Sequence, residues 1–236
     1  MSLKSNILKQ LKDRENDYVS GQSLAETFGV TRAAVWKAVA SLKKEGHVVE
    51  GTPKAGYRLH PSDVLEETEL KSRLEKAGIS DINIYVVSTL PSTNVFAEKL
   101  LNEGTHTPCL IAAKEQTAGQ ARHNGRFESE NGGLYMSLLF FPQRPPETLS
   151  RFTHEIYGSV NAVLQGEQKE NEIFFNGKKI CGILTQCVTD PDEIKSCIAG
   201  IGIYTERLSS ETRKLYPTKN ILCSAITRHI LSEYSL

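Results

Sequence analysis

The sequence is short of several things, and each shortage excludes a class of protein. Its 236 residues carry no net charge, 28 Lys plus Arg against 28 Asp plus Glu, so it lacks the one-signed field of a highly basic or acidic chain. No apolar run approaches the roughly 18 residues that a membrane-crossing helix needs, so no membrane partner is expected. The segment from Met1 to Lys12 lacks the apolar block and small-residue cleavage site of a secretory leader, which points to a cytoplasmic location. The five cysteines (Cys109, Cys181, Cys187, Cys197, Cys223) include no CxxC pair, so neither a disulfide framework nor a zinc site is expected. They read as free thiols packed as small hydrophobes. The six histidines (His47, His60, His106, His123, His154, His229) show no ligand spacing, and no metal site is expected on them. No GxSxG element and no phosphate-binding P-loop occurs.

What is present is organised unevenly. Residues 1–62 hold ten Lys or Arg and six Asp or Glu, and the remainder carries the compensating negative charge. A basic head on an acidic body suits a nucleic-acid-facing first domain. Ile7, Leu8 and Leu11 make Ser5 to Lys12 helical. Ser23 starts a short helix through Phe28, and Gly29 breaks it as a tight helix–helix turn requires. Thr31 can cap a helix from Arg32 to Glu45 whose inward face is Val35, Val39 and Leu42. Thr31, Arg32, Ala33, Trp36 and Lys37 then lie near its start, off that face, as the groove-reading positions of a recognition helix do. His47 to Glu50 reads as a strand, Gly51 to Gly56 as a turn and Tyr57 to Leu59 as the return strand. This hairpin is a wing with Lys54 at its tip, facing a sugar–phosphate backbone. The whole is a winged helix-turn-helix over residues 1–62, and its expected partner is a double-stranded DNA operator. Pro61-Ser62 is a hinge into a short helix from Val64 to Ala77.

Residues 63–236 read as one mixed α/β (α+β) domain. Strands are expected at Ile82 to Val87, Cys109 to Lys114, Leu134 to Phe141 and Ile194 to Tyr204. Glu172 to Phe175 and Lys179 to Gln186 form a hairpin about Asn176-Gly177. Helices are expected at Ser92 to Asn102, Leu149 to Leu164 and Ile221 to Tyr234. Between Gln116 and Gly133 lies a long loop with Gly119, Arg122, Gly125 and Arg126, a composition able to wrap an anion with backbone N–H groups and guanidinium forks.

The order of these pieces resembles the biotin protein ligase family, and within it the BirA-type bifunctional members that join an operator-binding winged helix to a ligase domain. The resemblance rests on Val30 to Lys37, the wing Lys54-Ala55-Gly56-Tyr57, Pro91-Ser92-Thr93-Asn94 and Gln116-Thr117-Ala118-Gly119. It rests also on Glu128-Ser129, Gly132 to Ser137 and Lys178 to Leu184. It implies biotin, or biotinyl-5'-AMP, as ligand. ATP and Mg²⁺ would drive adenylation, the biotin carrier protein of acetyl-CoA carboxylase would be the acceptor, and the chain would form a homodimer on DNA. Ser92, Thr93, Asn94, Gln116, Gly119, Arg122 and Lys179 match the family's biotin site, with Lys179 and Arg122 in the catalytic positions. Arg126, Phe127, Asn171 and Glu172 match the nucleotide side.

That nucleotide side departs from the family pattern. Gln120 and Ala121 replace an arginine and a glycine, Phe127 replaces a tryptophan, and the family's Lys-Trp-Pro-Asn-Asp falls on Gln168-Lys169-Glu170-Asn171-Glu172. Tyr204 stands where the family has asparagine. The 33 residues after Ile203 fit one helix, so the family's small C-terminal SH3-like barrel is expected to be absent. The resemblance with these departures implies a DNA-binding repressor that responds to biotin or its adenylate through a ligase-like domain of reduced or no ligase activity. An active bifunctional ligase-repressor and a winged-helix regulator of another ligand are the alternatives.

Overall fold

The structure, a computed structural model, describes residues 2–14, 17–123 and 125–233. It divides into two compact units, Met1–Val64 and Leu65–Leu236.

In the first unit, α1 (Leu3–Asp13), α2 (Gly21–Phe28) and α3 (Arg32–Lys44) precede an antiparallel hairpin of β1 (Val49–Thr52) and β2 (Gly56–Leu59). Each helix begins on a hydroxyl cap: Ser2, Ser20 and Thr31 accept from Ser5 N, Gln22 N and Ala34 N. Gly29, at φ 62°, ends α2 in the left-handed conformation that glycine adopts without penalty. Ile7, Leu11, Leu24, Val35, Val39 and Leu42 close the core under the hairpin. The wing is tied down twice. Val19 and Tyr57 exchange backbone hydrogen bonds of 2.8 and 2.9 Å. The Glu50 carboxylate accepts from Tyr18 Oη at 2.6 Å, from Arg58 at 2.6 Å and from His60 at 2.9 Å. These donors, Tyr18 foremost, draw the Glu50 pKa down to about 2.

Most boundaries shift by one to three residues from the sequence expectation, and three of the shifts have a plain local cause. Helix α2 begins at Gly21 rather than Ser23, because Ser20 supplies the cap. Strand β1 starts at Val49, not His47, because His47 N donates to Leu42 O and finishes α3. The helix expected from Val64 is α4 (Glu67–Lys76), since Val64 and Leu65 are buried ahead of it and Asn220 Oδ1 accepts from Glu66 N.

The second unit continues from α4 with β3 (Asn83–Leu90), α5 (Thr93–Asn102), β4 (Cys109–Gln116), β5 (Leu134–Phe140), α6 (Leu149–Leu164), β6 (Glu167–Lys169), β7 (Glu172–Phe175), β8 (Lys178–Thr189), β9 (Ile194–Ile203), α7 (Ser210–Leu215) and α8 (Lys219–Ser232). One seven-stranded sheet runs in the order β3-β4-β5-β9-β8-β7-β6. Only β3 and β4 are parallel, joined by the crossover helix α5. Residues of α4, α6 and α8 pack on one face with Leu138, Phe140 and Ile201. Ala97 of α5 packs on the other with Ile111, Leu139 and Ile198. Strand β6 was not expected, because Glu167, Gln168 and Lys169 are all exposed and carry no apolar alternation. Among the described residues two α-helices, not one, follow Ile203; the last was expected to reach Tyr234, which lies outside the described residues.

Gly56 has φ 107°, and a side chain there would overlap the Val19 backbone. Gly56→Ala is expected to cost more than about 1 kcal/mol. Urea unfolding checks this by the midpoint for the first unit; an unchanged midpoint would contradict the tie between wing and loop.

Candidate functional site

Two parts of the molecule carry the candidate functional residues: a cavity in the second unit, and the exposed surface of α3 with the wing in the first.

The cavity, about 310 Å³, opens beside the start of α5. Ser92 occupies the cap position of α5, yet its side chain caps nothing and makes no hydrogen bond among the described residues. Buried and lining the cavity, it leaves both a donor and an acceptor open to a ligand. The next two residues are locked. Thr93 donates to Gln116 Oε1 from its backbone N at 2.8 Å and from its hydroxyl at 3.1 Å. Gln116 Nε2 donates to Ser129 Oγ at 3.1 Å. Asn94 Nδ2 donates to Gln186 Oε1 at 2.7 Å and toward Leu184 O at 3.4 Å. Ser137 Oγ lies 2.7 Å from Thr93 Oγ1 and 2.6 Å from Asn94 Oδ1, with one proton to serve both. Gly200 faces this group, and any side chain there would overlap the Asn94 amide.

A second cluster lines the same cavity. Lys179 is paired with Glu172 and its Nζ stands 5.5 Å from the centre of the Phe127 ring. Arg122 reaches Glu170 at 3.4 Å and donates to Tyr157 Oη at 3.0 Å. Asn171 and Ile183 exchange hydrogen bonds of 2.8 Å through the Asn171 side chain and backbone. Phe127 stacks on Tyr204, centroids 5.4 Å apart and planes 16° off parallel. Its ring covers Gly182 and Gly202, where a Cβ would strike it. Burial raises the pKa of the Tyr204 phenol, which donates to Glu128 O at 3.1 Å and stays protonated.

Of the candidate residues, Ser92, Thr93, Asn94, Gln116, Arg122, Phe127, Asn171, Glu172 and Lys179 line this one cavity. Gly119 and Arg126 do not. Gly119 lets the loop double back, since a Cβ would meet Phe127 O at 2.7 Å, and Arg126 donates to Thr117 O at 2.8 Å. Gln120, Ala121, His123 and Glu170 also line the cavity. Sequence reasoning missed Ser137, Gln186 and the bare glycines Gly182, Gly200 and Gly202 as parts of the site. Ser137 had left a signal, being the lone hydroxyl amid Leu138, Leu139 and Phe140. Among the described residues no group of three or more His, Cys, Asp and Glu is placed to hold a metal ion.

In the first unit, Arg32, Ala33, Trp36 and Lys37 are exposed on α3, and Trp36 is 63% exposed. Thr31 spends its hydroxyl on the cap. Lys54, at φ 78°, sits in the turn between β1 and β2. A cleft between helix and wing is lined by Gln22, Arg32, Ala33, Trp36, Lys43 and Lys54. Such a surface offers cations to phosphates and guanine edges, and an apolar patch to thymine methyl groups.

Two family models match parts of the chain. An HTH domain model matches residues 4–58, and the biotin/lipoate A/B protein ligase family model matches residues 86–203. The bifunctional ligase/repressor BirA of Bacillus subtilis (strain 168) is 33% identical over 214 residues, covering 86% of this chain and 65% of that protein. BirA of Bacillus spizizenii is 32% identical over 222 residues, covering 89% and 67%. The chain thus spans about two thirds of the length of these relatives. Among solved structures, the biotin acetyl coenzyme A carboxylase synthetase of Helicobacter pylori, with bound biotinylated ATP, matches with a TM-score of 0.50 at 22% identity, over 65% of this chain and 75% of that one. The class is a helix-turn-helix unit followed by a ligase-type mixed sheet. The chain belongs to the biotin/lipoate A/B protein ligase family.

Ser137→Ala removes the proton shared by Thr93 and Asn94 and leaves buried acceptors unserved. It is expected to cost about 1–3 kcal/mol, read as a lowered urea midpoint of the second unit; a shift near zero would mean the chain of hydrogen bonds is not closed.

Proposed function

We propose that this chain is a BirA-like transcriptional repressor, acting in the cytoplasm as a homodimer on a DNA operator, whose ligase-type cavity binds biotin or its adenylate while adenylation itself is weak or lost. The observation that carries this reading is the pairing inside the cavity. Arg122 faces Glu170 and Lys179 faces Glu172, so both cations that would meet a phosphoryl group are already opposed by carboxylates. Adenylation concentrates negative charge on phosphoryl oxygens, and an enzyme gains most from cations held free for that charge. Glu170 and Glu172 sit beside these two cations, and Gln120 lines the cavity where the family pattern has an arginine; one lost donor of this kind typically slows a reaction by about 10²–10³.

The residues fit the ligand's two halves unequally. Ser92, with open hydrogen-bonding capacity, and the fixed amide of Gln116 suit a neutral ureido group. The backbone at Gly200 and Gly202 lines the cavity next to Asn94 and Phe127, which fill the spaces their missing side chains leave. Lys179 and Arg122 would hold the valerate carboxylate in exchange for their present partners. ATP with Mg²⁺ would supply the activating phosphate when bound, and the chain's own part there would be Lys179, Arg122, Asn171 and the Phe127–Tyr204 stack. Gly119 would let the 117–133 loop fold against Phe127, and Arg126 is the weakest candidate of the set because it donates to the loop's own backbone. A carrier lysine as acceptor belongs with the working ligase.

In the first unit, Arg32, Lys37 and Lys54 would hold DNA phosphates or guanine edges, with Thr31 fixing the helix start and Ala33 and Trp36 presented to the bases.

Native mass spectrometry of the protein with biotin and MgATP tests the cavity. A biotin adduct without biotinyl-AMP is expected; a stoichiometric biotinyl-AMP adduct would establish a working adenylation site, and no adduct would point to another ligand. Glu170→Gln, which frees Arg122, should then raise the biotinyl-AMP fraction.

The DNA reading has its own test. Trp36 is the chain's lone tryptophan, so its fluorescence should change on adding operator duplex. Binding should weaken steeply with salt, and Lys37→Ala should lower the log–log salt slope by about 1. Salt-independent binding would contradict groove docking.

A further inference from the structure

The cavity and the winged helix leave one reactive pair unused. Cys187 on β8 and Cys197 on β9 stand directly opposite in the antiparallel register, with their sulfurs 3.1 Å apart. No other two of the five cysteines are paired across strands in this way, and all five are free thiols. Two features make the pair asymmetric. Cys197 is fully buried, since β9 is an inner strand that pairs with both β5 and β8. Cys187 is only partly buried, and β7 pairs with β8 no further than Gly182. Beside it, Val188 is 52% exposed. The hydrogen bond between the two thiols lowers the Cys187 pKa, while burial holds that of Cys197 well up. A partly exposed thiol of lowered pKa next to a shielded one is the arrangement of an attacking and a resolving cysteine.

We propose that Cys187 and Cys197 form an oxidisable dithiol, a modification site at which a hydroperoxide closes a disulfide across β8 and β9. The Cys187 thiolate attacks the peroxide oxygen, the O–O bond breaks, and the leaving hydroxide takes a proton to become water, leaving Cys187 as a sulfenic acid. The Cys197 sulfur then attacks the Cys187 sulfur. The S–O bond breaks, the S–S bond forms, and the hydroxyl leaves with the Cys197 proton as a second water. Two thiols lose two electrons and two protons, and hydrogen peroxide is reduced to two waters. The bond would close one residue from Gln186, which holds Asn94 in the cavity, and three residues from Gly200. Oxidation therefore braces the strand pair that carries part of the ligand site.

The test uses the full chain and hydrogen peroxide itself. After graded exposure, denatured protein is titrated for thiols, alkylated and digested at Lys and Arg. The expected result is a fall from five thiols to three, with peptide 180–195 joined to peptide 196–207 through Cys187 and Cys197. Cys181 and Cys223, fully buried and held in the thiol form, should be alkylated intact. In Cys197→Ala, oxidation should stop at the Cys187 sulfenic acid, trapped as a dimedone adduct. Retention of five thiols at peroxide levels that oxidise free cysteine, or loss of Cys181 and Cys223 in step with the pair, would overturn the proposal in the unmodified chain, whatever the variant does.

Discussion

The second unit depends on one close approach. Strand β9 passes the start of α5 at Gly200, and the Asn94 amide fills the space that any other residue's side chain would occupy. This contact lets a crossover helix lie close enough to the sheet for a hydrogen-bonded chain to form, from Ser129 through Gln116, Thr93 and Ser137 to Asn94 and Gln186, with Thr93, Ser137 and Asn94 as its buried centre. Buried polar groups cost free energy unless each is paired, and inside a protein such chains are high-stakes for that reason. Here each member serves the next, and the one hydroxyl left open is Ser92, at the cavity wall. The same lack of side chains at Gly182 and Gly202 gives Phe127 a seat. The cavity's rigid part and its occupant loop thus both follow from glycines on two neighbouring strands.

Two kinds of chemistry meet in that cavity. The hydrogen-bond chain is neutral, and its centre at Thr93, Ser137 and Asn94 is buried. The ion pairs Arg122–Glu170 and Lys179–Glu172 are partly exposed, with the Glu170 side chain 84% exposed, and pairs of that sort are weak and exchangeable. A ligand can displace them at small cost. It cannot rearrange the buried centre so easily. The neutral and the charged groups of the cavity are thus held in different ways.

Much of this was legible in the sequence, and the reasons are local. Helix α6 was read with both ends correct, because sixteen residues of apolar spacing leave little freedom in where it starts and stops. The caps Thr31 and the break at Gly29 placed α3 for the same reason. Strand β6 was missed since its three residues are exposed on both faces. The start of α2 was misplaced because two serines three apart could each cap, and only the fold chooses Ser20. In the site, the polar residues were found where several fell in one motif, as in Ser92-Thr93-Asn94. Ser137, Gln186 and the floor glycines come from strands far apart in the chain. Their meeting is a property of the sheet order, which no short stretch encodes. Arg126 looked like a ligand group by composition, but the bridge between Gln120 and Arg126 turns it onto the loop's own backbone.

The central claim is that one chain couples this cavity to its winged helix, and linkage requires any such coupling to be reciprocal. The most direct measurement is the affinity of the full chain for an operator duplex, followed at Trp36, with and without saturating biotin. The account predicts a shift of about fivefold or more between the two, and an equal shift in biotin affinity when DNA is present. Identical affinities in both conditions would contradict it, leaving a ligand cavity and a DNA-binding unit that share a chain without sharing free energy.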